Sequence, residues 1–128
     1  MLDTHILAWL AIGRDRLTRH EREAIALHGG DLVVSTISIW ELRLKWRSHP
    51  RRSAEDSLLT PDAALAFCEA REIPIIPFTA ADAAHDLVPP PANSDPFDEA
   101  LLGHAQRIGA ALLTRDRNLV GHPLAYRP

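Results

Sequence analysis

The strongest constraint on this chain is the alternation of short apolar runs with segments that open on helix caps. Leu32 to Ser35, Ile73 to Pro77 and Ala111 to Thr114 are short and almost wholly apolar, the pattern of strands buried on both faces. The segments between them begin like helices. Thr18 precedes Arg-His-Glu-Arg-Glu-Ala-Ile-Ala-Leu and Gly29-Gly30 follows as a stop. Thr60-Pro61-Asp62 puts proline at a first helical position, and Thr79 followed by Asp82 has capping-box spacing. Strand and helix by turns is the signature of a parallel sheet covered on both faces. Met1 and Leu2 form a first apolar stub, so the opening strand is expected to be cut short, and Leu124 to Arg127 offers a last strand.

Composition sets the outer limits. A chain of 128 residues, 46% hydrophobic and 24% charged, is expected to fold as a single domain over 1–128 around one core. Cys68 is the sole cysteine and closes no internal bridge. No apolar run approaches the ~20 residues of a membrane span. Asp3 stands where a signal peptide carries basic residues, so no membrane association and a cytoplasmic location are expected. A net charge of -3 leaves any polyanion to be met by a local patch. Pro89-Pro90-Pro91 reads as a stiff loop, and Ser48 to Leu59 as a second loop.

In an open parallel sheet, ligands gather outside the carboxyl ends of the strands, where the following helices begin. Four acids fall at that edge. Asp3 follows the first stub, and Glu41 lies about one turn past Ser38 in the helix after Leu32 to Ser35. Asp98 is in the first turn of the Pro96 to Ile108 helix, and Asp116 comes two residues after Thr114. Each has an ordinary explanation as a helix starter or, for Asp116 with Asn118, a turn former. Together they are harder to set aside. Two carboxylates 5 Å apart repel by roughly 3 kcal/mol at an effective dielectric of 20, a cost that divalent cations offset. Four such charges balance two Mg2+ or Mn2+ ions.

The seven histidines form no zinc-type pair with a neighbouring acid or cysteine and read as packing or surface residues. Trp9 and Trp40 sit in apolar helical stretches and are expected in the core, whereas Trp46, among arginines, is expected at the surface. There is no Gly-x-Ser-x-Gly elbow.

Four segments, in order, carry a resemblance: Leu2-Asp3-Thr4-His5-Ile6-Leu7-Ala8-Trp9, Ser35-Thr36-Ile37-Ser38-Ile39-Trp40-Glu41, Asp95-Pro96-Phe97-Asp98-Glu99-Ala100-Leu101-Leu102, and Leu113-Thr114-Arg115-Asp116-Arg117-Asn118-Leu119. With these the chain resembles the PIN-domain family, and more narrowly the VapC-type toxin ribonucleases of toxin–antitoxin pairs. The resemblance implies an α/β, three-layer α/β/α PIN-like fold with a central, mostly parallel sheet of four to five short strands. It implies a Mg2+- or Mn2+-dependent endoribonuclease whose metal-binding and catalytic acids are Asp3, Glu41, Asp98 and Asp116. It also implies an RNA substrate, a VapB-type antitoxin partner and a homodimer.

Around those acids, Asp95 is a candidate outer ligand, and the hydroxyls of Thr4, Ser38 and Thr114 could orient a carboxylate or a water; as cap and turn formers they have an equal claim. An acidic centre repels RNA, so cations must hold the backbone. Arg115 and Arg117, flanking Asp116, are the expected clamps, with Arg43, Lys45, Arg47, Arg51 and Arg52 as a second basic stretch. The first three of that stretch scatter around a helix and serve equally as a solvated helix end. The expected reaction is phosphodiester hydrolysis by metal-activated water. The rival from another class is a catalytically silent PIN domain that binds RNA or an antitoxin. A haloacid-dehalogenase-like phosphatase wants Asp-x-Asp where this chain has Asp3-Thr4-His5, and a receiver wants a late lysine where the only lysine is Lys45.

Overall fold

The computed structural model describes residues 1–48 and 59–127. Helix α1 (Thr4–Ile12) is followed by a 3-10 turn at Arg14–Arg16, then α2 (Arg19–Leu27). Strand β1 (Val34–Ser35) runs directly into α3 (Thr36–Ser48). After Leu59 come α4 (Pro61–Ala70), β2 (Ile75–Ile76), the short α5 (Ala80–Ala83) and α6 (Pro96–Ile108). No helix among the described residues is long and apolar enough to cross a membrane.

The caps act where their residue types predict. Thr18 accepts from the Glu21 N–H while Glu21 reaches back to the Thr18 N–H, a complete capping box. Thr79 and Asp82 form a second box, and Thr60 caps α4 with Pro61 at its first position. Asp95 caps α6 by accepting from Phe97, and α6 stops at Gly109, whose φ of 69° is left-handed backbone that favours glycine.

The sheet is smaller than expected. Among the described residues β1 and β2 form the only two-stranded ladder, parallel, with Val34 opposite Ile75. Two strands stand in place of four to five. The other apolar runs pair one residue at a time. Leu2 lies parallel to Leu113, and Leu112 parallel to Ala125. The Leu2 N–H donates to Val33 O at 2.9 Å, which carries the hydrogen bonding from β1 across Leu2 to Leu113 and on to Ala125. Segments that turn into a helix or loop after two residues leave no length for longer ladders.

Successive residues on these segments face opposite ways, as period-two geometry demands. Leu2 and Leu113 join one apolar cluster with Ile6, Leu7 and Leu42; Met1 and Leu112 join another with Leu101, Leu102 and Leu119. Helices thus cover both faces of a thin parallel sheet, and α1 is buried at Ile6, Leu7 and Leu10. Truncating a fully buried leucine such as Leu7 or Leu102 to alanine costs about 2–5 kcal/mol.

Trp9 is half-buried against the first cluster. Trp40 departs from expectation: it is 48% exposed. α3 has apolar residues on several sides, and its buried positions Ile37, Ser38 and Leu42 turn Trp40 outward. Trp46 is exposed, as its arginine neighbours suggest. The expected loop from Ser48 to Leu59 has Ser48 as the end of α3 and Leu59 in the core; its interior, with Arg51 and Arg52, lies outside the described residues.

Candidate active site

Asp3 occupies the centre of the acidic edge. It is the residue before α1, is 5% exposed, and its N–H donates to Leu113 O at 3.0 Å. Although the first segment is short, bonds to Val33, Ala111 and Leu113 hold it on both sides. The Thr114 hydroxyl donates to Asp3 Oδ2 at 2.6 Å and accepts the Asp116 N–H at 3.1 Å. Asp116 therefore hangs from the same threonine that orients Asp3. Its Oδ1 accepts the Asn118 N–H at 2.7 Å, so it is a turn former as well as an acid at this edge.

On the other side, the Thr4 hydroxyl donates to Glu41 Oε2 at 2.6 Å and lies 3.0 Å from Ser38 Oγ. Thr4 and Ser38 are buried, whereas Glu41 is partly open. Lys45, one helical turn on, meets Glu41 Oε1 at 2.8 Å. Lys45, a candidate RNA-binding cation, thus pairs with an acid of the site.

Asp98, in the first turn of α6, is reached by Asn93, whose amide Nδ2 donates to Oδ2 at 2.7 Å. Asn93 is not among the residues expected from sequence, where its only signal is an amide five positions before an acid. Asp95 is exposed and spends one oxygen on capping α6.

Electrostatics tie the acids together. Burial lifts the Asp98 carboxyl above its usual range; the Asn93 hydrogen bond opposes this, and the charges of Asp95, Asp116 and Asp3 add to it. Burial likewise lifts Asp3, opposed by Thr114 and His5 and reinforced by Glu41. Asp98 thus feels Asp3 and Asp116, and Asp3 feels Glu41, linking acids up to 113 positions apart (116 − 3) into one anionic patch. Burial and the proximity of like charges both act to raise these groups.

Arg115 is already engaged within the fold. Its Nε donates to Glu21 Oε1 at 2.7 Å, its Nη2 pairs with Glu21 Oε2 and reaches Arg16 O at 2.8 Å, and its guanidinium lies 4.2 Å from the Trp9 ring centroid. Burial alone would raise the Glu21 carboxyl, but the hydrogen bonds from Arg115 and Thr18 bring it below the usual range. Arg115 thus ties α2 and the preceding 3-10 turn to the segment that carries Asp116. Arg117, Arg43 and Arg47 are exposed and make no ion pair among the described residues.

The family model of the PIN domain matches residues 1–121. The chain belongs to the PIN domain family. Comparison with curated proteins gives no match. PIN domains are generally metal-dependent nucleases and commonly use divalent ions. The donor chemistry of this PIN domain fits such an ion: the acids supply hard carboxylate oxygens, and a cation would relieve the repulsion that helps to lift Asp3 and Asp98. Among the described residues, however, no three of His, Cys, Asp and Glu are already gathered as a cage. Glu41 Oε1 pairs with Lys45, and Asp98 Oδ2 accepts from Asn93.

Proposed function

We propose that this PIN domain is an endoribonuclease of the VapC type, the toxin of a toxin–antitoxin pair. The observation that supports the reading is the set of contacts linking the acids: Thr4 bonds Glu41, Thr114 bonds Asp3 and the Asp116 N–H, and Asp98 feels the charges of Asp3 and Asp116. These four carboxylates would hold Mg2+ or Mn2+, which when bound neutralises charge on a phosphate and acidifies a water.

The chain's own groups do the rest. Buried Asp3 is the anionic floor of the site, and Thr114 fixes its orientation and that of Asp116. Thr4 presents Glu41, which serves as a second-ion ligand or as a base toward the attacking water. Water is the nucleophile in this reading. The one serine–histidine contact among the described residues, Ser35 with His104 Nδ1 at 2.8 Å, is fully buried, as is Cys68. Arg43, Arg47 and Arg117 are the cations left to hold the RNA backbone. A VapB-type antitoxin, a homodimer and a cytoplasmic location accompany the reading through the four motif segments.

A second reading, a silent PIN domain that binds RNA or an antitoxin, draws on the grip of Lys45 on Glu41 and of Asn93 on Asp98. One experiment separates the two. Structured RNAs are incubated with the purified protein and Mg2+ or Mn2+, beside Asp98→Asn and an EDTA control. Cleavage lost in both controls supports the nuclease; cleavage that survives either one overturns the carboxylate mechanism. Intact RNA in every lane, with no copurified partner, supports the silent domain.

A further inference from the structure

Two aromatic rings stand beside the acidic edge, each the chain neighbour of a candidate acid: Trp40 precedes Glu41, and Phe97 precedes Asp98. Their ring centroids are 5.1 Å apart and the planes are tilted by 57°. That is a corner between α3 and α6, not a closed stack, and Trp40 is 48% exposed within it. Trp40 therefore keeps about half of its surface available to a ligand, beside a second ring that can back it. Positions 40, 43 and 47 of a helix lie on one face, so Arg43 and Arg47 continue the surface from Trp40. Neither arginine makes an ion pair among the described residues.

The geometry points to a stacking subsite in which Trp40, backed by Phe97, holds an unpaired nucleobase while Arg43 and Arg47 hold the phosphates of the same strand. This rests on the nuclease reading and deepens it: α3 contributes a base contact at Trp40 in addition to its contacts with the backbone. A base in a duplex has no free face to offer an indole, whereas an unpaired base does, and stacking of this kind tolerates any sequence. The two arginines favour a polyanionic strand over a second copy of this chain, whose own Arg43 and Arg47 would approach with like charge.

The test is equilibrium binding of fluorescein-labelled probes by anisotropy in EDTA, which prevents metal-dependent cleavage. The probes are a ten-nucleotide oligouridylate, the same ribose-phosphate chain lacking its central four bases, and a ten-base-pair RNA duplex. Expected is tightest binding of the oligouridylate. Trp40→Ala should weaken that probe about tenfold, leave the abasic chain unchanged, and be rescued by Trp40→Phe. Equal loss on the base-bearing and abasic probes, or no loss, overturns the subsite. So does a fall in sedimentation mass on Trp40→Ala with RNA affinity intact, which would make this face an interface between copies. Metal-dependent cleavage by the wild type is scored separately: if it persists while binding is indifferent to bases, the subsite fails and the nuclease stands. If no probe binds and no RNA is cut, both fail.

Discussion

The Thr114 hydroxyl donates to Asp3 Oδ2 at 2.6 Å and accepts the Asp116 N–H at 3.1 Å, so one threonine sets two acids from distant parts of the chain. Replacing it by valine keeps the shape and removes both bonds. Thr114→Val should lower cleavage by about 10–100-fold, the usual effect of losing a group that orients a metal ligand. The cost in stability should be only about 1–2 kcal/mol. Thr114→Ser should restore most activity. Steady-state cleavage beside urea unfolding checks both halves.

Acids that repel one another oppose folding in the absence of metal. The Asp3 and Asp98 carboxyls titrate above their unfolded values, so between those values the native state binds more protons and stability falls as pH rises through that window. At neutral pH in EDTA, Asp98→Asn should therefore melt higher than the wild type, by about 4 °C for each kcal/mol of relieved repulsion. The same variant should lose cleavage by more than about 100-fold. Mn2+ at a hundred times its dissociation constant should raise the wild-type melting temperature by about 10 °C, and that of Asp98→Asn far less. Equal shifts would remove Asp98 from the ligand set.

Much of this architecture is legible in residue order. Caps at Thr18, Thr60 and Thr79 mark helix starts because a side-chain oxygen meeting an orphan N–H is a local event. The apolar runs mark the sheet segments because strands covered on both faces need apolar residues throughout. Long-range partners are less accessible. Arg115 looks like a phosphate clamp in one dimension, flanking Asp116; its engagement by Glu21, 94 positions away, emerges only when α2 packs against that segment. Trp40 has the apolar neighbours of a core residue, yet α3 buries Ile37, Ser38 and Leu42 and turns the indole to the surface. Strand number is not legible, because apolar content measures burial, whereas ladder length depends on how soon each segment bends away.

Salt should tell the engaged arginine from the open ones. Arg43→Ala with Arg47→Ala should weaken oligouridylate binding and reduce the slope of log affinity against log salt by about 1.4, or ~0.7 for each single-strand phosphate no longer neutralised. Arg115→Ala should leave the slope unchanged. It should instead destabilise the fold by about 1–3 kcal/mol, because Glu21 is left buried and unpaired, while Arg115 itself is already partly in water. Arg115→Lys should not rescue, since an ammonium cannot span both carboxylate oxygens. Titrations at several salt concentrations and a urea melt decide both points.

His104 supplies a separate dependence on pH. Burial lowers its pKa, with the Asp82 charge opposing, so the native ring is neutral where the unfolded ring takes up a proton. Stability should fall as pH drops below about 6.5, by at most about 1.4 kcal/mol per pH unit. His104→Asn should flatten that limb. Asp82 behaves oppositely to Asp3: hydrogen bonds led by the Thr79 N–H hold it at about 2, so its contribution is present above the ordinary aspartate range and fades only as pH falls toward 2. The acid limb should therefore survive in His104→Asn, as unfolding curves between pH 2 and pH 8 will show.

The Leu2 segment sits between Val33 and Leu113, so residues synthesised early close against residues made much later. During translation Asp3 has no Thr114 to orient it until another 111 positions have been added, and no Asp116 beside it until two more follow. On the nuclease reading, the acids cannot be set together before Thr114 has joined the sheet, so the pocket is a property of the finished fold and not of any one segment.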